Sequence, residues 1–180
     1  MQNEAKLLAQ LKLDDSKELA YKTLIKRYKE NLYWHIRKIV IYHDDADDVL
    51  QNTFIKIFKN IDKFNGDSKL YTWMYRIATN ESITFLNSKA RRNKVSNETL
   101  NENALQNLVT DVYFDGDEIQ LKLQKAIAQL PRIQQLVFNM RYFDNIKYRD
   151  MSVILETSEG ALKASYHIAV KKIKTYLLAD

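Results

Sequence analysis

The chain has 180 residues, 46% of them hydrophobic, and a formal net charge of +5, which is enough apolar material for one domain or two small helical ones. Cysteine is absent, which excludes disulfide frameworks, thiolate zinc sites and cysteine nucleophiles. Only three Gly and one Pro occur, too few turn residues for a large β-sheet, and the positive charge favours an anionic partner such as nucleic acid or a membrane surface.

Taken in order, the opening MQNEAKLLAQLKLDD has no apolar stretch long enough for a signal peptide, and no later run approaches the roughly 20 apolar residues of a membrane span. A cytoplasmic protein with no membrane contact is therefore expected. From Ser16 to Ile41 the residues Leu19, Tyr21, Leu24, Ile25, Tyr28, Leu32, Ile36, Ile39 and Val40 recur at spacings of three and four. That spacing predicts a long amphipathic helix with Asp15 or Ser16 as its N-cap. The run YHDDAD interrupts it. A second helix follows with Val49, Leu50, Phe54, Ile57, Phe58 and Ile61 as its apolar stripe, and its acidic first turn suits the helix dipole.

The segment FNGDSK, residues 64–69, reads as a loop with Asn-Gly as the turn signal. A third helix is predicted from about Leu70 to Lys89, with Met74, Ile77, Ala78, Phe85 and Leu86 inward. Three matched stripes make a small bundle. Residues 93–117 are polar and asparagine-rich, with one lysine against Glu98, Glu102, Asp111, Asp115 and Asp117, and read as a flexible acidic linker. It joins two domains, 1–92 and 118–180.

Helical patterning resumes with EIQLKLQKAIAQL, then Pro131 at a helix start, RIQQLVFNMRYF, YRDMSVIL, the break ETSEG and a final helix ending KKIKTYLL. The last three segments have helix-turn-helix proportions. Tyr148, Met151, Ile154 and Leu155 would pack the first helix of that motif, and Leu162, Tyr166, Ala169, Ile173 and Leu177 the second. Lys163, Ala164, His167, Lys171 and Lys174 are left outward, near where a recognition helix meets bases and phosphates. A helical hairpin that binds protein has the same pattern.

No catalytic residues are assigned. The three His are scattered and three Gly leave no phosphate-binding glycine loop. Asp44, Asp45, Asp47 and Asp48 match no calcium-loop spacing, so they read as caps, dipole partners or a partner-facing patch, with no metal and no cofactor expected. The stretch YTWMYRIATNESITFLNSKARR, residues 71–92, poses a sharper question. Trp73 and Tyr75 lie on nearly opposite sides of a helix, while Arg76, Asn80, Asn87, Lys89, Arg91 and Arg92 offer donors to phosphates. Either this is a core helix with a solvated basic end, or one face meets single-stranded nucleic acid.

Two runs carry a resemblance. DADDVLQNTFIKIFKNIDKFNGDSKLYTWMYRIATNESITFLNSKARR resembles region two of the bacterial extracytoplasmic-function sigma factors of the sigma-70 family, and LPRIQQLVFNMRYFDNIKYRDMSVILETSEGALKASYHIAVKKIKTYL resembles region four. The resemblance covers about residues 20–92 and 118–178, in the family's order. It implies an all-α protein with a three-to-four-helix region 2 bundle and a region 4 helix-turn-helix joined by a linker. It also implies a monomer that binds core RNA polymerase and promoter DNA and has no enzymatic activity, with an anti-sigma factor left open as a further partner.

By position, the resemblance places Asp45, Asp48, Gln51, Asn52 and Thr53 against the polymerase. It places Asn65, Gly66, Asp67, Ser68 and Lys69 around an extruded minus-ten base, with Tyr75, Arg76, Thr79 and Asn80 beside the following strand and Arg91 and Arg92 at the basic end. Trp73 is structural in this pattern. Lys163, Ala164, His167 and Lys171 fall on the minus-thirty-five helix, where Ile168 and Val170 depart from the basic residues common in the family. The acidic linker residues would imitate nucleic acid in the polymerase's RNA exit path. The other reading is a stand-alone helix-turn-helix regulator that needs no polymerase, and a third is an adaptor that binds only protein.

Overall fold

The computed structural model describes residues 2–95 and 118–179; the acidic linker residues fall outside them. Among the described residues all regular structure is helical: α1 (Gln2–Leu11), α2 (Asp14–Val40), α3 (His43–Asn60), a 3-10 turn (Ile61–Lys63), α4 (Leu70–Asn93), α5 (Glu118–Ala128), α6 (Arg132–Tyr142), α7 (Tyr148–Leu155) and α8 (Glu159–Leu178).

Helices α1 to α4 form the first domain. Leu24, Leu32 and Ile36 of α2, Ile57 of α3 and Met74 and Ala78 of α4 are fully buried together, the outcome of apolar side chains spaced at three and four on each helix. The N-terminal helix was not evident from periodicity; it exists because Leu7 and Leu11, four residues apart, bury against the same core. From α1, the Glu4 carboxylate accepts the Leu70 N–H that opens α4, at 3.3 Å.

Three sequence expectations shift. Leu19 is 72% exposed, because Ala20 occupies the inward position at that turn. Neither Asp15 nor Ser16 caps α2: the helix opens at Leu13, which offers no side-chain cap, and the Ser16 hydroxyl donates instead to the Gln10 carbonyl. Helix α4 runs past Lys89 to Asn93 and closes on Lys94 in the left-handed region. The break at YHDDAD is short, since Ile41 at φ 70° ends α2 and α3 starts at His43.

Helices α5 to α8 form the second domain around Ala126, Ile127, Leu130, Phe138, Ala169 and Ile173. Pro131 stands at the N-cap of α6, where its missing N–H is no loss. The boundaries of α7 match the YRDMSVIL segment, and α8 opens at Ser158, whose hydroxyl accepts the Ala161 N–H at 3.3 Å.

The domains are packed on one another. Helix α7 lies on α4, and α6 touches α2. Buried residues of both domains, Met74 and Ala78 on one side and Met140, Met151 and Ile154 on the other, belong to one continuous apolar cluster.

Candidate nucleic-acid and partner interfaces

On α3 the buried set Ala46, Val49, Leu50, Thr53, Phe54 and Ile57 turns Asp48, Gln51, Asn52 and Ile55 outward. These four lie at helical spacings of three and four and form one exposed stripe. Thr53 leaves this face: it is fully buried and its hydroxyl donates to the Val49 carbonyl at 2.7 Å. Asp45 sits at the edge, ion-paired with Lys89 of α4. Asp47 lies 3.4 Å from His43 one turn earlier, and among the described residues no cluster of acidic, His or Cys side chains is arranged to hold a metal ion. Sequence patterning placed Phe58 inward, yet it is 40% exposed and packs edge-on against Tyr21. Ile55, 45% exposed beside Gln51 and Asn52, was missed because a single apolar residue on a polar face carries no periodic signal.

The loop after α3 is fixed at its base. Phe64 is buried, packs on Trp73 and gives its carbonyl to Lys12 at 3.0 Å, so Trp73 is structural as expected. Beyond that anchor Asn65, Gly66, Asp67 and Lys69 are exposed and Ser68 is half-buried. Gly66 has φ +84° with open space around its Cα; backbone conformation, not crowding, calls for glycine there.

Helix α4 separates into two faces, and the division differs from the expectation. Tyr75 and Thr79 are buried. The Tyr75 hydroxyl donates to the Asn31 carbonyl at 3.3 Å, and burial raises its phenol. The Thr79 hydroxyl donates to the Tyr75 carbonyl at 2.8 Å and shares a hydrogen bond with His35 Nε2 at 2.9 Å. Both are packing residues, because α2 lies directly against that side. Arg76, half-buried, and Asn80, exposed, remain at the surface, and Arg91 and Arg92 are exposed at the far end.

Two clusters join the domains beside this face. Asp150 of α7 accepts the Tyr71 hydroxyl and lies 3.4 Å from Lys69 Nζ and 3.5 Å from Thr72 Oγ1, while Glu156 pairs with Arg76. Burial, then the bond to Asp150, pushes the Tyr71 phenol up to about 12. In the second cluster, Asp144 in the turn after α6 accepts His35 Nδ1 at 2.8 Å and Lys38 Nζ at 2.6 Å. Burial raises the Asp144 carboxyl, but the His35 hydrogen bond and the charges of His35 and Lys38 outweigh it, and the net direction is below the ordinary carboxylate value. Asn139 adds a bond to the Lys38 carbonyl at 3.3 Å.

On α8, Leu162, Ala169 and Ile173 are buried, and Lys163, Ala164, His167 and Lys171 are all exposed on the opposite side. Ile168 is 44% exposed, whereas Val170 is half-buried against the domain's own core. The departure from a basic helix surface therefore rests on Ile168 alone.

A helical bundle coupled to a helix-turn-helix with an exposed basic helix defines a two-domain, all-α protein of the DNA-binding class. Residues 24–92 match the family Sigma-70 region 2, and residues 120–173 match Sigma-70, region 4. The chain belongs to the sigma-70 family. It is 28% identical over 153 residues to RNA polymerase sigma-H factor of Pseudomonas aeruginosa, covering 81% of this chain and 79% of that one. Against ECF RNA polymerase sigma-E factor of Escherichia coli K12 it is 27% identical over 153 residues, covering 81% and 80%. The fold is also that of CnrH, solved in complex with the cytosolic domain of CnrY, at a TM-score of 0.72 and 20% identity, with 98% of each chain covered. Sigma factor RpoE of Bartonella quintana, solved with the anti-sigma factor NepR, superposes at 0.68 with 19% identity, over 89% of this chain and 98% of that one.

Proposed function

We propose that this chain is a promoter-specificity subunit that binds core RNA polymerase and directs transcription initiation without catalysing a reaction of its own. The carrying observation is that both sigma regions occur in one chain, in order, on two helical domains that present different exposed surfaces. The α3 stripe of Asp48, Gln51, Asn52 and Ile55, with Asp45 at its edge, is the polymerase-docking face. Its mixture of carboxylate, amide and aliphatic groups suits a basic partner surface with an apolar centre.

The loop Asn65 to Lys69, with Arg76 and Asn80 beside it and Arg91 and Arg92 beyond, serves the minus-ten element. Extruding a base costs a few kcal/mol, and a loop held at Phe64 and free at its tip supplies amide and backbone groups to offset that. Lys163, Ala164, His167 and Lys171 serve the minus-thirty-five element in the major groove. Joining two weak DNA sites in one chain raises the effective concentration of the second. The protein works as a monomer in the cytoplasm, where the polymerase is. The complexes of CnrH with CnrY and of the Bartonella RpoE with NepR support including an anti-sigma factor among its partners.

Reconstitution with core polymerase from the source bacterium, on a promoter library, tests the reading. Specific start sites that require this chain are expected. Failure to form any complex with core polymerase refutes it, and DNA binding without such a complex would instead make the chain a stand-alone regulator.

A further inference from the structure

We infer that α1 and the turn after it form the positioning element of the minus-ten loop, with Glu4 and Lys12 holding the loop's two ends so that Asn65 to Lys69 meet an extruded base already shaped. This deepens the sigma reading above and rests on it. The match to region 2 begins at residue 24, so all of α1 and the start of α2 lie ahead of it.

The loop leaves the core at Phe64 and returns to it at Leu70, which are 5% and 1% exposed. Backbone groups beside such anchors are drawn away from water and need partners. At the exit the Phe64 carbonyl accepts from Lys12 Nζ at 3.0 Å, and at the return the Leu70 N–H donates to Glu4 Oε1 at 3.3 Å. Both partners come from one short stretch, 52 and 66 positions away along the chain. The contact at Leu70 has a second effect. Leu70 opens α4, and Lys69 at its N-cap supplies no side-chain cap. Glu4 therefore gives that helix both an acceptor for its first N–H and a negative charge at the positive end of its dipole. Lys17 adds a third hold through Asp62, at 2.9 Å, in the 3-10 turn that leads into the loop.

The holding element is itself rooted. Leu7 and Leu11 are 4% and 0% exposed and seat α1 on the core, and Glu4, three residues before Leu7, shares their face. Between the two grips Asn65, Gly66, Asp67 and Lys69 are exposed. A loop with fixed ends and an open tip loses less conformational freedom when it receives a base, so the ends set both how readily a base is captured and how sharply one base is told from another.

The test combines E4A with K12A in the full chain. Lys12 is exposed and Glu4 half-buried, so the core is untouched. In the free chain, deuterium uptake across residues 64–72 should rise, most at the Leu70 amide. In holoenzyme, core-polymerase affinity and binding of a degenerate duplex of about 30 base pairs should stay within about twofold, while promoter opening slows roughly tenfold. On a template already unpaired over the minus-ten element, the preference among bases at the extruded position should narrow. That ratio does not depend on the fraction of active protein, so a merely destabilised chain would leave it unchanged. E4Q combined with K12R keeps an acceptor and a donor at the same places and should restore most of the preference. The inference is overturned if uptake at residues 64–72 is unchanged, if opening slows with base preference intact, or if the conservative pair restores nothing. Absence of any complex between core polymerase and the unsubstituted chain would fail the sigma reading instead, and deuterium uptake in the free chain would still decide whether Glu4 and Lys12 hold the loop.

Discussion

Asp144→Asn removes the negative charge that pairs with His35 and Lys38 while keeping nearly the same volume. The side chain of Asp144 is 6% exposed and that of His35 1%, so the pair is held largely out of water. Removing one partner of a buried pair costs about 3–5 kcal/mol when the site cannot relax. Here it can relax: Asp144 lies in the second domain and its partners in the first, so separating the domains returns His35 and Lys38 to water. The loss is thus capped by the free energy of domain closure and should appear as opening, not unfolding. At about 3 kcal/mol the closed-to-open ratio falls roughly 150-fold.

The pH dependence has a definite sign. A carboxyl whose folded-state value lies below its ordinary 3.8 contributes stability that is present above that value and lost as pH falls through the lower folded one. Closure in the native chain should weaken on acidification below about pH 4, and Asp144→Asn should lack that component. Energy transfer between fluorophores on Glu30→Cys in the first domain and Thr175→Cys in the second, both exposed positions in a chain without cysteine, with far-ultraviolet dichroism to confirm retained helix, measures both effects. An Asp144→Asn chain with unchanged energy transfer and the same acid transition would refute the reasoning.

Asp48→Lys should weaken core-polymerase affinity by about tenfold or more with the fold intact, chiefly through slower association; unchanged binding kinetics would remove α3 from the interface. Lys163→Ala should reduce affinity for minus-thirty-five duplex DNA by about 1 kcal/mol or more, and a change confined to minus-ten usage would show that α8 is not the reading helix. Tyr71, pushed up to about 12, is neutral and supports closure at pH values below its ordinary 10.0, and that support is lost as pH rises through about 12. Phenolate absorbance should therefore show a late-titrating tyrosine that Tyr71→Phe removes and that D150N shifts back toward the ordinary value.

Much of the candidate site was legible because it lies on faces that periodicity defines. The outward positions of Lys163, Ala164, His167 and Lys171 follow from the spacing of Leu162, Ala169 and Ile173, and those of Asp48, Gln51 and Asn52 from Val49, Leu50 and Ile57. Tyr75 and Thr79 were placed beside a strand by the family resemblance, which assigns positions along the chain and not the neighbours that satisfy a hydroxyl. Only the neighbouring helix shows that Asn31 and His35 satisfy those hydroxyls inside the bundle. Thr53 is the same case within a single helix, its hydroxyl returned to the carbonyl one turn back.

By itself the sequence determined the helical class, the two-domain division with its helix-turn-helix, and the identity of the exposed basic and acidic faces. These depend on local propensity and on spacings along one chain, which neighbours in space do not alter. How the domains sit was left open, and the tertiary structure decided it. The contacts that hold them, His35 with Asp144 and Tyr71 with Asp150, join residues 109 and 79 positions apart. No periodicity within a helix encodes such a pairing; it arises when two finished domains bring opposite charges and apolar remainders together.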